Sequence, residues 1–548
     1  MSTVLNDLEI GLDEDLKEVL ARRVPSYSSH RILRQSVDAR RSNQRPTWVY
    51  SVEVFGDGEV PTVPDYDPPR ISWPSARAKP LVIGTGPAGL FAAVRLVERG
   101  IPCVILERGS VGEKRIGAIN KFWRYGRLDP NNNVCMGEGG AGLYSDGKLI
   151  TRIKSPFIPY VMDRLVRFGA PEEIRWLANP HVGSDKIRRV IPKIRAFLLA
   201  QGCEIHFDTP MKEMITAKED AVAPTTDLKT GANRRTRVIG VRTEGGKEFF
   251  SDHVILAVGH SAEDILQRLF EQDVYMEGKS FALGLRIEHP QSAINKIQFR
   301  SAWDHPSLGS ANYRLADHDD RTGIGVYSFC MCPGGYVLSS GTNADGVVAN
   351  GMSNYNRNSP FANSAIVISI DHEKRFGRLS SSGQATSRDA LFGGLHFRRS
   401  LETSAFRAVQ DSAARGLSSP HAIPAQRVVD FLDGRLGPTL ATSSPSGVAA
   451  VRLDQILPSD LVERMRSSLE QFNSKMKGFI SPDAQFHGIE SRTSCPVRMT
   501  RSSIDLESVS HAGLYPAGEG AGYAGGITSA ACDGVKIADQ IAALYETK

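Results

Sequence analysis

The 548-residue chain has few cysteines and no long apolar run. Its seven cysteines are odd in number and scattered, which excludes a dense disulfide framework and favours a reducing, cytoplasmic compartment. No stretch of about 18 apolar residues occurs, so we expect no membrane-spanning helix. The acidic N-terminus has neither a basic segment before an apolar core nor a lipidation motif, so we expect no secretory signal or lipid anchor.

A large excess of one charge is also missing. With 66 basic and 61 acidic residues, the net charge is +5, which predicts no general attraction for nucleic acid. Apolar residues make up 41% and charged residues 23%, an ordinary globular balance that excludes a wholly disordered chain. At roughly 150 residues per domain, the length predicts about three or four domains.

The chain begins with a predicted α+β unit, 1–70 including its linker. DEDLKEVLARRV has helical spacing, TWVYSVEVF has a strand pattern, and a segment rich in Pro and Gly follows. Two polar segments, 217–235 and 377–389, are predicted to be loops. PSDLVERMRSSLEQFNSKM predicts a helix with a capping box of Asp460 and Glu463. Its apolar face comprises Leu461, Met465, Leu469, Phe472 and Met476.

The strongest motif is a glycine-rich turn between a predicted strand, LVI, and a predicted helix. Gly84, Gly86 and Gly89 have the G-x-G-x-x-G spacing of dinucleotide-binding turns. The first glycine allows the tight turn, the second lets the backbone approach a pyrophosphate, and the third lets the helix pack closely on the sheet. Free N–H groups at the helix start, with Pro87 and Ala88, are expected to bind that pyrophosphate.

A second predicted strand, CVIL, ends at Glu107, which Arg108 follows. An acidic residue about 20 residues after the first glycine is where a ribose diol needs an acceptor. A carboxylate there argues against a ribose 2′-phosphate. The motif therefore predicts NAD or FAD and leaves the choice open.

A distant glycine cluster, GLYPAGEGAGYAGGITSAACDG, favours FAD. A predicted strand runs into Gly518 and Glu519, and a helix of small residues follows the turn. The arrangement resembles the ribityl-binding motif of the glutathione-reductase-like FAD fold, with Glu519 where Asp is usual. The backbone N–H groups of Gly525, Gly526 and Ile527 are expected to face the flavin pyrimidine carbonyl, where negative charge grows on reduction.

The strand VILAVGH, ending near Gly259, resembles the strand that closes such an FAD domain. No second strand–G-x-G-x-x-G–helix unit occurs, so any NAD(P)H would bind transiently without a domain of its own. We therefore predict a discontinuous FAD domain, 78–265 and 506–548, interrupted by a substrate domain at 266–505.

Eight segments together resemble a family of bacterial and plastid proteins described as uncharacterised FAD-dependent dehydrogenases. The resemblance implies FAD and an α/β fold: a glutathione-reductase-like, Rossmann-type FAD domain with an inserted α+β substrate domain. It implies no substrate, and Glu263 departs from the family, which tends to have Arg there. The segments are RQSVDAR, GEGGAGLYSDGKL, VGHSAED, KSFALGLRIEHPQ, YSFCMCPGG, NGMSNYNRNSPFANSA, GIESRTSCPVRM and GEGAGYAGGITSAACDG.

The segment GEGGAGLYSDGKL is a further glycine-rich loop that we expect to line the flavin. Gly139, Gly140, Gly142 and Ser145 allow close approach of the backbone to a planar ring or a phosphate. Lys148 is a candidate to stabilise a reduced flavin anion. The alternative is that Lys148 is an ordinary surface cation.

Cys330 and Cys332 form a C-x-C pair that a strand would place on one face. A thiol beside the flavin, with Cys332 as the candidate, would relay electrons or donate a proton. The alternative is that both are small buried hydrophobes. The spacing is not that of a C-x-x-C redox motif, and no further Cys/His pair completes a zinc site, so no metal is expected.

Other candidates are polar residues of the inserted region and the last turn. His289 suits general acid–base chemistry or is a hydrogen-bonded structural histidine. Tyr523 is a weak acid or a packing residue. Arg286, Arg492 and Arg498 are candidates to bind a substrate carboxylate, or form ion pairs between domains.

These observations predict an FAD-dependent oxidoreductase that transfers a hydride between the flavin and a small organic substrate, as a dehydrogenase or a reductase. An NAD(P)H-dependent flavin monooxygenase is the alternative within the enzymes. An RNA-modifying flavoprotein and a non-catalytic flavin-binding protein are alternatives of other classes. The expected partner is a small molecule, without nucleic acid or membrane, and the oligomeric state is open.

Overall fold

The computed structural model describes residues 2–40, 44–62, 64–74, 76–218, 236–377 and 388–546. Most of the two predicted polar loops, 217–235 and 377–389, lies outside these residues. In the part of the chain that is described, no helix has the length and apolar character needed to cross a bilayer.

The strands, in chain order, are β1 (Thr3–Ile10), β2 (Ser29–Asp38), β3 (Thr47–Phe55), β4 (Leu81–Ile83), β5 (Val104–Leu106), β6 (Glu204–His206), β7 (Met211–Lys218), β8 (Thr236–Thr243), β9 (Glu248–Phe250), β10 (Val254–Leu256), β11 (Met276–Gly278), β12 (Phe281–Pro290), β13 (Ala316–Asp319), β14 (Ile324–Cys332), β15 (Gly335–Ser339), β16 (Ala349–Ser353), β17 (Phe361–Ile370), β18 (Ile423–Arg427), β19 (Val448–Ala450), β20 (Gln485–Glu490), β21 (Val497–Met499), β22 (His511–Ala512) and β23 (Leu514–Pro516).

The helices are α1 (Leu16–Arg23), α2 (Pro87–Glu98), α3 (Gly112–Tyr125), α4 (Ile158–Arg167), α5 (Ser184–Ala200), α6 (Glu263–Glu271), α7 (Gln291–Phe299), α8 (His372–Phe376), α9 (Arg388–Ala414), α10 (Val428–Leu432), α11 (Leu453–Ile456), α12 (Ser459–Lys475) and α13 (Ile527–Ala543). Short 3₁₀ turns lie at Gly140–Tyr144, Glu172–Arg175 and Arg300–Ala302.

A parallel sheet of order β23-β10-β4-β5-β6 carries the first glycine-rich turn at the end of β4. All residues of β4, β5, β10 and β23 are buried because the sheet has a core cluster on each face. The strand β23 reaches this sheet from near the C-terminus and pairs with β10, as the sequence predicts. This is the predicted α/β fold with a Rossmann-type domain.

The second large sheet has the order β13-β14-β17-β12-β20-β18-β19. Its central strands β12 and β17 pair antiparallel along ten residues each. Successive side chains of a strand point to opposite faces. Leu283, Leu285 and Ile287 therefore join the apolar core on the α12 side, whereas Arg286 and Glu288 lie on the opposite face.

The helix α12 has the predicted apolar face, since Leu461, Met465, Leu469, Phe472 and Met476 are all buried. The predicted capping box, however, is wrong. The helix begins one residue before Asp460, Pro458 occupies the N-cap, and no side chain caps it. Because Asp460 lies inside the first turn, its carboxylate instead pairs with Arg375 at 2.9 Å.

The N-terminal residues form a separate antiparallel sheet of order β1-β3-β2 with α1 packed on it. Asp15 caps α1 by accepting from the N–H groups of Lys17 and Glu18. The predicted helix and strand of this unit are therefore confirmed. The four predicted domain boundaries stay predictions.

Candidate functional site

The glycines of the first turn occupy three different environments. Gly84 has φ +102°, and a Cβ atom added there would lie 2.5 Å from the carbonyl oxygen of Ala257. A Cβ atom at Gly89 would overlap the carbonyl oxygen of Gly84. At Gly86 it would meet nothing within 4 Å. The fold itself thus requires the first and third glycines, whereas the second faces an open crevice.

The crevice lies at the carboxyl ends of β4, β5, β10 and β23, where ligands bind in open α/β sheets. The helix α2 starts there with Gly86 as its N-cap and Pro87 in its first turn, and no side chain caps it. The positive end of the helix dipole therefore points at the crevice and suits a pyrophosphate.

The loop that contains Gly139 lies directly against this turn. A Cβ atom at Gly140 would lie 3.1 Å from the Cα atom of Gly86, and one at Gly142 would lie 3.4 Å from the Ile527 side chain. The loop thus touches both the first turn and the start of α13. Ser145 closes the loop on itself, because its Oγ donates to Gly142 O and accepts from the N–H of Gly147.

The C-terminal glycine cluster closes the crevice from the other side. A Cβ atom at Gly518 would lie 2.7 Å from the Cβ of Ala88, and one at Gly520 would lie 2.5 Å from the carbonyl oxygen of Gly259. Four glycine-rich segments therefore meet at one place. The glycines at which a Cβ atom would meet no atom within 4 Å include Gly86, Gly259, Gly525 and Gly526.

Glu107 lies at the end of β5 beside the first turn, where the sequence places it. Its Oε2 accepts from the N–H of Thr85 at 2.9 Å and from the Thr85 hydroxyl at 2.6 Å, and its Oε1 accepts from the N–H of Gly109. These bonds fix the carboxylate against the turn. Arg108 instead pairs with Asp264, at 2.6 Å.

Glu519 follows β23 at the crevice. Burial raises the pKa of Glu519 to about 7, and a charge on Cys330 raises it further, whereas Lys279 opposes the shift. At the start of α13, the N-cap Gly526 has no side-chain bond, although the N–H of Gly525 donates to Ser529 Oγ. The backbone N–H of Gly525 is thus partly engaged within the protein.

The polar face of β12 carries a buried ion pair. Arg286 Nε donates to Glu490 Oε2 at 2.8 Å and its Nη2 donates to Glu490 Oε1 at 2.9 Å, a two-pronged geometry. Its Nη1 donates to Asn363 Oδ1 at 2.9 Å and to the carbonyl oxygen of Cys330 at 3.3 Å. The sequence singles out Arg286 as a substrate ligand, and the structure shows it already bound to Glu490.

His289 lies on the other face of β12, away from Arg286. Its Nε2 donates to the carbonyl oxygen of Phe479 at 2.8 Å, and its ring packs on that phenylalanine. Burial lowers the pKa of His289 to about 4. The structure does not bring this predicted acid–base residue to the site, and its environment is that of a hydrogen-bonded core histidine.

A different histidine, His487, lies on the polar face. It is not among the site residues predicted from the sequence. It stands opposite Arg286 in the β12–β20 register. Its Nε2 is 3.2 Å from Glu288 Oε2, and its buried Nδ1 has no hydrogen-bond partner. Glu288 also accepts from the Ser443 hydroxyl. The alternation in QFHGIE separates His487 from the buried Phe486, but only the pairing of β20 with β12 brings His487 to the face of Glu288.

The C-x-C pair lies at the end of β14, next to Arg286. Pairing with β17 is irregular between Phe329 and Cys332, and Cys330 has φ +47°. Cys332 is fully buried, and its Sγ is 3.2 Å from the carbonyl oxygen of Cys330. A hydrogen bond from Cys332 lowers the pKa of the Cys330 thiol, and the charges of Lys148 and Arg286 add to this.

Lys148 projects from the glycine-rich loop with its side chain only 26% exposed, so it is not an ordinary surface cation. Its Nζ lies 3.9 Å from Asp146 Oδ2. Asp146 is itself buried, and accepts from Arg357 Nη2 at 2.7 Å and from the Ser353 hydroxyl. The end of β16, which pairs with β15 in a separate two-stranded sheet, and the residues just after it thus fix the base of this loop.

Three further candidates are engaged within the protein. Arg492 forms a buried pair with Glu402, with N–O distances of 3.2 and 3.1 Å. It is thus in an ion pair, but both residues lie within the predicted substrate domain and not in different domains. The Tyr523 hydroxyl accepts from the N–H of Arg501 at 2.9 Å. The guanidinium of Arg498 lies 5.5 Å from the centre of the Tyr523 ring. Packing therefore accounts for the position of Tyr523, whereas the buried Nε of Arg498 has no hydrogen-bond partner among the described residues.

Comparison with known proteins agrees with this geometry. Residues 280–493 match the family described as FAD-dependent protein, C-terminal domain-like. An uncharacterized protein of Clostridium beijerinckii is 36% identical over 565 residues, covering 99% of this chain and 98% of its own length.

Among solved structures, a flavoprotein/dehydrogenase from Cytophaga hutchinsonii is similar at 11% identity, over 86% of this chain and 80% of its own, with a TM-score of 0.33. The crystal structure of CtdE in complex with FAD is similar at 12% identity, over 85% and 84%, with a TM-score of 0.30. At these TM-scores, neither likeness bears on the reaction.

The crevice and the fold define a Rossmann-type dinucleotide-binding protein. The chain belongs to the same family as the Clostridium beijerinckii protein, and its residues 280–493 match the FAD-dependent C-terminal domain family. FAD is its cofactor, and the open glycines, the uncapped helix start and the carboxylates of Glu107 and Glu519 fit that dinucleotide.

Proposed function

We propose that the protein is an oxidoreductase that transfers a hydride between FAD and a small organic substrate. The observation that carries this proposal is where the two regions meet. Asp146 of the glycine-rich loop accepts from the Ser353 hydroxyl of β16. Asn350 of the same strand accepts from Arg286 Nη2, at 3.5 Å, on the polar face of the second large sheet. A substrate held on that face would lie beside the cofactor.

Different residues of the crevice would bind different parts of FAD. The start of α2 and Gly86 would hold the pyrophosphate, Glu107 a ribose, and Glu519 the ribityl hydroxyls. The N–H groups at Gly526 and Ile527, with the ammonium of Lys148, would stabilise negative charge on the ring system. When bound, FAD supplies the two-electron chemistry.

His487 is the group that we expect to move the substrate proton. The Nδ1 atoms of His487 and His289 are both buried without a hydrogen-bond partner. What distinguishes His487 is its place on the polar face, where Glu288 Oε2 bonds its Nε2 and fixes the ring orientation, so that Nδ1 would donate or accept the proton. The buried ion pair of Arg286 with Glu490 borders the same face and fixes the Cys330 carbonyl oxygen, to which Arg286 Nη1 donates. Both dehydrogenation of a C–H/C–O or C–H/C–N centre and reduction of an activated double bond use this arrangement.

The test is an anaerobic titration of the FAD-loaded protein, following the visible flavin absorption. NADPH, NADH and a panel of hydroxy acids, amines and alcohols are added separately. Bleaching by an organic compound supports a dehydrogenase, and bleaching by a pyridine nucleotide supports a reductase. If NAD(P)H bleaches the flavin and oxygen is then inserted into a substrate, the protein is a monooxygenase. If only dithionite bleaches the flavin, the proposal fails.

The two histidines provide a matched pair of variants. We expect His487→Gln to retain FAD but to slow flavin reduction by the active substrate about 10²-fold or more, because the proton-transfer group is lost. His289→Gln should leave that rate unchanged, since His289 lies on the core face. Stopped-flow reduction rates measure both. Equal slowing in the two variants would contradict the assignment of His487.

A further inference from the structure

We propose that Cys330 and Cys332 form a redox-active dithiol that exchanges two electrons with the flavin. The proposal rests on the proposed function in one respect, that the flavin at this crevice undergoes redox turnover. In this proposal, Cys330 is the thiol that reacts with the flavin or with a substrate. Cys332 is the resolving thiol, which forms the disulfide with Cys330.

The backbone at the pair permits a disulfide. A strand rises about 3.3 Å per residue, so the Cα atoms of residues two apart lie at most about 6.6 Å from each other. A disulfide joins Cα atoms roughly 4.4–6.8 Å apart. The irregular pairing after Phe329 and the positive φ of Cys330 bend the strand, and Cys332 Sγ already lies 3.2 Å from the carbonyl oxygen of Cys330.

The two thiols differ as an attacking and a resolving thiol should. Cys330 is partly exposed, whereas Cys332 is fully buried. The hydrogen bond between the two thiols lowers the pKa of Cys330 and raises that of Cys332, and the charges of Lys148 and Arg286 lower the Cys330 pKa further. The thiolate form, which is the reactive one, therefore forms at the accessible sulfur.

Location distinguishes this pair from the other close thiols in the described part of the chain. The Sγ atoms of Cys103 and Cys203 lie 3.4 Å apart, and both residues are buried. They precede β5 and β6, at the edge of the parallel sheet opposite the crevice. They therefore serve as an internal control for thiols that are close together but remote from the cofactor.

The electron transfer balances without a further reactant. As the Cys330 thiolate and the Cys332 thiol join, an S–S bond forms and the S–H bond of Cys332 breaks. Two electrons and the Cys332 proton pass to oxidised FAD. In the reverse direction, the disulfide takes two electrons and one proton from the reduced flavin and returns to a thiolate and a thiol. An incoming disulfide substrate would be reduced through Cys330 by exchange.

The experiment is an anaerobic dithionite titration of the FAD-loaded, air-oxidised protein, with the thiols counted by alkylation and mass spectrometry. We expect the wild type to consume two more electrons per FAD than the flavin alone accepts. Oxidised protein should have two fewer reactive thiols than the seven of the chain, with a peptide that links Cys330 to Cys332. Cys332→Ser should lose both features while retaining FAD.

Cys203→Ser is the matched control and should keep the extra electrons. Cys332→Ala provides the same test if the serine variant does not fold. The proposal is overturned if the wild type consumes only the electrons of its flavin and all seven thiols remain reactive after oxidation. Because dithionite needs no substrate, this failure is separate from a failure of organic substrates or NAD(P)H to bleach the flavin.

Discussion

The crevice and the polar face of the second large sheet are built from different parts of the chain. The crevice is formed mainly by backbone: open glycines and two helix starts that no side chain caps. The polar face is formed by side chains that hold one another, Arg286 with Glu490 and Glu288 with His487. A backbone site depends on local spacing along the sequence. A side-chain site depends on strand alternation and on partners that are remote in sequence.

The largest effect is expected at Gly86 of the backbone site, where any side chain would occupy the space of the pyrophosphate. Gly86→Val should abolish FAD binding, because a branched side chain would fill the space meant for the pyrophosphate. The apoprotein should still fold, since a Cβ atom at Gly86 meets nothing within 4 Å. Absorption spectra of the purified protein and circular dichroism measure the two effects.

Gly117→Val is the matched control, because Gly117 lies in α3 and a Cβ atom there also meets nothing within 4 Å. This variant should retain FAD. A yellow Gly86→Val protein with normal affinity would place the pyrophosphate elsewhere.

On the side-chain site, Arg286→Met should lower the free energy of unfolding by about 3–5 kcal/mol, because Glu490 would be left as a buried unpaired charge. Arg22→Met removes an exposed ion pair with Glu14 and should change the free energy of unfolding by less than about 1 kcal/mol. Urea unfolding of the apoproteins measures both. Similar losses in the two variants would mean that the buried pair has no special role in stability.

Gly89, the third glycine of the first turn, is needed for the packing of α2, so its substitution tests stability and not contact with the cofactor. Gly89→Ala should destabilise the apoprotein by about 1–3 kcal/mol, because its Cβ atom would overlap the carbonyl oxygen of Gly84 and force the helix from the sheet. The same urea measurement tests this value. A variant as stable as the wild type would show that α2 does not approach the turn this closely.

The smallest effect concerns pH. Burial raises the pKa of Glu519 to about 7. A charge on Cys330 adds to this shift, and the charge of Lys279 opposes it. The ribityl hydroxyls of FAD would donate hydrogen bonds to the ionised carboxylate of Glu519. Below pH 7, FAD binding must therefore release a proton from Glu519, which weakens binding. We expect the Kd for FAD to rise about 25-fold between pH 7.5 and 5.5. Glu519→Gln should remove most of this rise, and an unchanged profile in the variant would contradict the assignment.

The sequence predicts the backbone site well. Gly84, Gly86 and Gly89 follow one strand and open one helix, and the closing strands β10 and β23 are short apolar runs. Local spacing is sufficient for these. It is not sufficient at α12, where a helix start one residue earlier removes the capping box.

The polar face was only partly predictable. The segment RIEHP reads as one polar cluster, yet alternation along β12 separates Arg286 from His289. His487 and Glu288 are 199 residues apart and meet only through the pairing of β12 with β20. Nothing in the local pattern of either segment specifies that pairing.

The central claim is that FAD lies in the crevice with its ring system against the Cys330 face. A crystal structure of the FAD-loaded protein tests this most directly. The account predicts the pyrophosphate at the start of α2 beside Gly86 and Gly140, with the isoalloxazine between Gly526 and Cys330. An isoalloxazine that points away from Cys330 and Lys148, with the polar face of β12 out of reach, would contradict it.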